Sequence, residues 1–328
     1  MKILNLCFHD NAGAGYALSH AINKLSAHQA INLRSTRDFT EYPAIAEMKN
    51  YDAPSCRRMV EKADVVVFHS AVKPYYSGLG LTKKALQEKK KLLYFHGSEM
   101  RFYGKEILAQ ADDLMDQYQI LVSTPEMLLT CSKPAKWLPV ARSFQEIQGL
   151  YSRCNQDTQA LEAFAEPKVK TVFCHAPSDE AKKGSNMFYA VLTRLMRELP
   201  NVAFLTIHNQ PWTACLSLLS TADVYLDQNP PFDICSYGLV SVEASIFKLP
   251  VITKMHGEVI DLIKKETGLD SPFITFTSED DLTAKLYLLA QDADLRRTFG
   301  AKTYRYCRKV HDEKPVVDHF LEIIEGMN

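Results

Sequence analysis

Short apolar runs alternate with amphipathic stretches along this chain; the alternation stops once, over residues 143–166, and then restarts. Apolar runs too short for helices, separated by stretches with helical spacing, are what a parallel sheet with crossover helices requires. The pattern sets the fold class at α/β, and its single interruption sets the number of sheets at two. Before it, strands are predicted at 3–8, 30–34, 64–69, 91–95 and 120–123, with helices at 15–26 and 53–63 and a more basic one at 81–89. A further run at 137–140 contains Pro139 and is assigned to a sheet edge or a strand end. After it, strands are predicted at 168–174, 202–207, 223–227, 250–253 and 273–276. Helices fill 186–198, 212–220, 239–248, 257–266, 278–291 and 294–308, and a last amphipathic stretch covers 314–326. A chain of 328 residues exceeds what one core usually holds. The expected division is a doubly wound domain over 1–165, a second over 166–310, and a C-terminal helix over 311–328 that packs back on the first. Such folds bind ligands at the carboxyl ends of their strands, so a site between the two domains is expected.

Composition matters mainly for what it excludes. A net charge of −1 gives no general case for a nucleic-acid partner. The basic run Lys83, Lys84, Lys89, Lys90 and Lys91 reads as a solvated helix face, with a peripheral contact to an anionic membrane surface or acceptor as the sharper alternative. No apolar run approaches the ~20 residues of a bilayer span, and MKILNLCFHD reads as a buried strand rather than a secretory leader. Eight scattered cysteines, with no CxxC pair and no zinc spacing, fit buried thiols in a reducing compartment. A cytoplasmic location is therefore expected.

Four polar clusters stand where predicted strands end. In the first, Asp10-Asn11-Ala12-Gly13-Ala14-Gly15-Tyr16, Gly13 and Gly15 let helix-start amides approach a phosphate, so the loop can bind an anion or face a substrate. As a dinucleotide fingerprint the loop fails, because Leu18 occupies the third glycine position. A tight strand-to-helix turn without a ligand is the competing reading. The second cluster is His96-Gly97-Ser98-Glu99-Met100-Arg101. His96 can exchange protons near neutrality, Arg101 can hold a carboxylate or phosphate, and Glu99 joins them as a substrate contact.

The third cluster, His175-Ala176-Pro177-Ser178 and Lys182-Lys183-Gly184-Ser185-Asn186, sets a lysine beside a glycine at a helix start, where its ammonium reaches a diphosphate. Ser185 or Asn186 is expected to cap that helix. The fourth is DQNPPFDICSYGLVSVEASIFKLP, residues 227–250. Here Gly238 stands at a helix entrance. Glu243, among apolar neighbours, is a buried carboxylate in need of partners that ribose hydroxyls would supply; bonding to a neighbouring backbone group is the bland alternative.

SYGLVSVEASIFKLPVI resembles the nucleotide-sugar motif of the group 1 (family 4-like) glycosyltransferases, E-x-F-G-L-x-x-x-E-A-x-x-x-G-x-P-V-I. Tyr237-Gly238-Leu239 matches its F/Y-G-L step, Glu243 its second acid, and Leu249-Pro250-Val251-Ile252 its exit. HAPSDEAKKGSN resembles the same family's phosphate turn, with Lys183 in the K-G pair; His96 to Arg101 resembles its acceptor-side loop and WLPV the end of its first domain. The resemblance implies a GT-B fold, two Rossmann-like domains facing a central cleft. It implies transfer of a sugar from a nucleotide-diphosphate sugar, UDP- or GDP-linked, to an acceptor hydroxyl, with retention, without metal and without a further cofactor. His96 and Glu243 would be catalytic. Gly13, Gly15, Ser178, Lys183, Ser236, Tyr237, Gly238, Leu239 and Glu243 would bind the donor, and Asn11, Glu99, Arg101 and Asp227 would contact acceptor or sugar. Cys235 stands where the family's first motif acid belongs, leaving Asp227 or Asp233 as stand-ins. The family's arginine before the K-G pair is absent, and Lys248 replaces a small residue. These departures leave a catalytically degenerate GT-B module, binding nucleotide or glycan without turnover, as the alternative. Asp292-Ala293-Asp294 is the only D-x-D and, at a helix junction, is read as a decoy.

Overall fold

The computed structural model describes residues 1–36, 40–69, 83–97, 118–151, 171–231 and 234–327, with the side chains of Asn11, Lys83 and Lys84 outside that description. Glu99, Arg101 and Asp233 also lie outside it, as does the 143–166 connector from residue 152 onward. The chain divides into a first unit, Met1–Arg142 with His311–Asn328, and a second, Ser143–Val310.

The first unit is built on a parallel sheet ordered β3-β2-β1-β4-β5-β6-β7. Its strands are β1 (Lys2–His9), β2 (Gln29–Thr36), β3 (Ala46–Glu47), β4 (Val65–His69), β5 (Lys90–Phe95), β6 (Gln119–Val122) and β7 (Ala135–Trp137). The apolar runs form the central strands because both faces are covered, as a parallel sheet demands. On one face Ile3, Val65, Val67, Leu92 and Tyr94 pack with Leu18, Ala21 and Ile22 of α1 (Ala14–Leu25). The C-terminal amphipathic stretch joins the same core through Val316, Val317, Phe320, Ile323 and Ile324. At its rim Lys24 pairs with Glu313 at 2.7 Å and Lys90 donates to the Ile324 carbonyl at 2.7 Å. α2 (Ala53–Lys62) starts at Asp52, whose carboxylate accepts from the Ser55 amide. The run at 137–140 only begins inside the edge strand β7; Leu138 and Pro139 follow its end. Of the basic stretch at 81–89, Lys83–Leu86 is helical.

The second unit carries a parallel sheet ordered β11-β10-β8-β9, from β8 (Thr171–His175), β9 (Val202–Thr206), β10 (Val224–Leu226) and β11 (Val251–Ile252). The run predicted as a strand at 273–276 makes a single parallel bridge, Ile252 to Ile274. Phe173, Val224, Leu226 and Ile252 pack against α3 (Ser185–Glu198) and α7 (Glu279–Gln291). Between them in sequence lie α4 (Trp212–Leu219), α5 (Leu239–Ile246) and α6 (Gly257–Thr267). α8 (Ala293–His311) and α9 (Glu313–Glu325) end the chain. Lys248, where the resemblance calls for a small residue, is left-handed at φ 59°; a side chain costs roughly 1–2 kcal/mol there. Facing it, Gly300 of α8 leaves room for the Lys248 carbonyl, 1.8 Å from where a Cβ would stand.

Candidate functional site

In the second unit the strand order reverses between β8 and β10, because β9 lies on one side of β8 and β10 on the other. Ligands of open α/β sheets bind outside the carboxyl ends of the strands at such a switch point. Lys183 and Asp227 are brought together there. Lys183 closes the Glu180–Lys183 turn, which Asp179 caps by accepting from the Lys182 amide. Gly184 then reverses the chain at φ 63°; a Cβ on it would sit 1.8 Å from the Asn229 carbonyl oxygen. The Lys183 ammonium donates to Gln228 Oε1 at 2.7 Å and lies 3.5 Å from Asp227 Oδ1. Asp227, fully buried at the end of β10, takes the Gly238 amide on Oδ2 at 2.6 Å. Gln228 in turn donates to the Ser236 carbonyl.

The N–H of Gly238, expected to face an anion, is thus taken by the chain's own carboxylate. Gly238 is needed for its size as well: a Cβ would come within 2.8 Å of Lys183 Nζ and 2.9 Å of Asp227 Oδ1. Asp227 Oδ1 has the Lys183 ammonium at 3.5 Å as an ion pair but no hydrogen bond, and the buried hydroxyls of Ser236 and Ser241 have no hydrogen-bond partner among the described residues.

Other predicted residues of this unit are placed differently. Glu243 on α5 is buried, and its Oε1 accepts the Trp212 indole N–H at 2.8 Å. The Tyr237 ring packs on Phe273 and its hydroxyl lies 3.4 Å from that of Tyr306. Leu239 opens α5, half-buried, and Ser178 is exposed in the loop after β8. Cys235 is buried, its thiol donating to the Lys254 carbonyl at 3.1 Å. The expected cap of α3 is corrected: Gly184 holds the N-cap position, with no side-chain cap bond. The Ser185 hydroxyl instead donates to His175 Nε2 at 2.7 Å, because His175 Nδ1 must carry its proton toward the Leu226 carbonyl at 2.8 Å. Burial pushes the His175 pKa down to about 4, keeping this ring neutral.

In the first unit the order reverses between β1 and β4, and the polar residues gather at their carboxyl ends. Asp10 accepts from the Gly15 and Tyr16 amides at 2.7 and 2.8 Å and from Asn32 at 3.1 Å. The Gly13 amide bonds the Asp10 carbonyl at 2.8 Å. The donors of this helix start therefore face an internal anion. Burial raises the Asp10 pKa, opposed by the two amides and by Arg34 and Arg142. Gly15 permits close packing: a Cβ would stand 2.4 Å from Cys7 Sγ. His96, just past β5, is half-buried and lies with its Nε2 2.9 Å from His69 Nδ1. Cys7, Asp10 and His69 have the spacing of a metal set, yet both His69 nitrogens are engaged, by His96 and by Asn5, and Asp10 is saturated with donors.

No family model matches the chain, and no curated protein matches it in sequence. Solved structures do. HepE of Anabaena, in complex with UDP-glucose, is 14% identical with a TM-score of 0.65, each chain covered over 100% of its length. A glycosyltransferase of Rickettsia africae is 12% identical with a TM-score of 0.61, covering 99% of this chain and 97% of its own. The UDP-GlcNAc 2-epimerase of Neisseria meningitidis, bound to UDP-GlcNAc, is 11% identical with a TM-score of 0.56 over 99% of both chains. The chain has the GT-B fold.

Within this GT-B chain, sequence reasoning missed Gln228, Trp212, Asn5 and His69. Asn5 had a signal: it is the one amide in the apolar run ILNLCF, and a buried amide requires a partner. A direct consequence concerns Gly238. Gly238→Val should displace Asp227, which cannot move into solvent, and lower Tm while α5 remains formed; differential scanning calorimetry and circular dichroism read the two effects. An unchanged Tm in the folded variant would remove Gly238 from the cradle.

Proposed function

We propose that this protein is a glycosyltransferase that moves a sugar from a nucleotide-diphosphate sugar to an acceptor hydroxyl. The observation that carries the reading is the cradle of Lys183, Asp227, Gln228 and Gly238 at the switch point of the second sheet. The GT-B neighbours solved with UDP-glucose and UDP-GlcNAc support a uracil nucleotide sugar as the donor class. As the bond from the anomeric carbon to the diphosphate breaks, negative charge grows on the leaving group, and Lys183 is the cation placed to receive it. The acceptor oxygen forms the new bond and its proton leaves to a base. We propose retention of configuration and a mechanism without metal, with Glu243 toward the ribose and Asp227 toward the transferred sugar. His96, with Asn11, Glu99 and Arg101, is assigned to the acceptor or the sugar. Among the described residues no helix is long and apolar enough to cross a membrane; a cytoplasmic, membrane-peripheral location is part of the proposal.

A thermal-shift screen across UDP-, GDP- and ADP-sugars tests the reading. A ligand at a hundredfold excess over its Kd stabilises by about 2.7 kcal/mol, so the true donor should raise Tm clearly. A folded sample that none of them stabilises would overturn it. The burial of Cys235, bonded inward to the Lys254 carbonyl, favours the second reading, a module that binds without turnover. Cys235→Glu separates the two: an adapted enzyme loses turnover, whereas a degenerate one gains it from nothing.

A further inference from the structure

A chain of buried hydrogen bonds ends on His96. It starts at Ser19 on α1, whose oxygen accepts from Asn5 Nδ2 at 2.8 Å. With its NH2 so directed, Asn5 presents Oδ1 to His69 Nε2 at 3.0 Å. An amide oxygen only accepts, so His69 Nε2 carries the proton and His69 Nδ1 is a lone pair. His96 Nε2, 2.9 Å from that lone pair, must be the donor. A neutral imidazole with a proton on Nε2 has none on Nδ1.

We propose that His69 is a positioning residue for His96, holding it as the neutral Nε2–H tautomer so that His96 Nδ1 presents a hydrogen-bond acceptor at the carboxyl end of β5. A partner at His96 must then be a hydroxyl or an N–H, and a phosphate or carbonyl oxygen is refused. Resting on the glycosyltransferase reading, this makes His96 a receiver of a sugar or acceptor hydroxyl and removes it from the stabilisation of the leaving diphosphate.

The surroundings hold the arrangement. Asn5 and Ser19 are fully buried and His69 is 1% exposed, so water cannot reverse the chain of bonds. The His69 and His96 rings stack with centroids 5.1 Å apart and planes at 21°, and Tyr94 covers His96 at 4.3 Å with its hydroxyl fixed on the Leu138 carbonyl. Among the described residues, the groups facing the pair are Asn5, Cys7, Asp10 and Tyr94, with Arg142 acting on Tyr94 and Asp10 from further off. Asp10, the one acid among them, already accepts from two amides and Asn32. Burial also pushes the His96 pKa down to about 3, which keeps the ring neutral.

The test needs neither donor nor acceptor. Two-bond nitrogen–proton correlation NMR on the full chain labelled at histidine distinguishes the two neutral tautomers and the imidazolium, with His96→Gln assigning the resonances. His96 should show a pyridine-like Nδ1 and a pyrrole-like Nε2, unchanged from pH 7.5 to 5. A pyrrole-like Nδ1, or an imidazolium at pH 6, would overturn the proposal whatever the protein binds. Asn5→Asp keeps the acceptor and should keep the tautomer. His69→Phe should release it, giving a mixed signal from the two neutral tautomers. Should His69→Phe not fold, the wild-type spectrum decides alone.

Discussion

Lys183→Ala is expected to weaken UDP binding about 10- to 100-fold, the worth of a hydrogen bond to a charged group, and Asp227→Asn to strengthen it. Without ligand the Lys183 ammonium is shared between Asp227, 3.5 Å away, and Gln228, at 2.7 Å. An arriving diphosphate must draw it from a carboxylate whose own charge repels the phosphates. Asparagine keeps the shape and an acceptor for the Gly238 amide while removing that charge, so the cradle becomes net positive. Tightening of about tenfold is a conservative share of the ~4 kcal/mol that two charges exchange at 4 Å near a protein surface. The two substitutions differ in stability too. Lys183→Ala leaves a fully buried carboxylate without its cation and lowers Tm, whereas Asp227→Asn leaves only the partly exposed Lys183 ammonium, still bonded to Gln228, and lowers Tm less. The double variant should regain Tm without regaining affinity. Calorimetric titration of the three proteins reads the result, and equal affinities across them would remove Lys183 from the donor site.

Legibility in the sequence followed the kind of interaction involved. The central strands were legible because a parallel sheet covered on both faces writes itself as an apolar run: ILNLCF, DVVVFH and KLLYF became β1, β4 and β5 with shifts of a residue or two. The two-residue β3 leaves no such run, and the bridge at Ile274 shows that an apolar tetrad does not suffice for a strand. At the site, Lys183, Asp227 and Gly238 were legible as positions, each set by a strand end or a helix start. What they bond to was not. Glu243 announced itself as a buried acid, but nothing in its own segment pointed to Trp212, 31 positions earlier. Asn5 and Asn32 interrupt apolar strands and announce buried polar partners in the same way; which of Ser19, His69 and Asp10 each would meet depends on the packing of α1 over the sheet.

Acid should unfold the first unit before the second, and the cause is buried neutral histidine. His96 and His311 in the first unit have pKa values lowered to about 3 and about 4 by burial, and His69 is lowered by burial and by His96. The second unit has His175, at about 4. A folded pKa below the unfolded one means that the unfolded chain binds protons first. The stabilisation is therefore complete above the unfolded value of about 6.5 and is lost as pH falls from there toward the folded values. Between pH 7 and 5 each such ring costs about 2 kcal/mol. His96 and His311 together then remove about 4 kcal/mol from the first unit, with His69 adding in the same direction. That is a large part of the 5–15 kcal/mol typical of a domain. Hydrogen exchange followed from pH 7.5 to 5 should show β1, β4 and β5 losing protection while β8 and β10 keep theirs. His311→Asn offers the sharper check. The asparagine amide can replace Nδ1–H as donor to the Val140 carbonyl, so the fold is retained while one buried proton site is lost. Its stability should fall less steeply with acid, by up to ~1.4 kcal/mol per pH unit, and a slope equal to that of the parent would show that His311 is not among the groups that acid must charge.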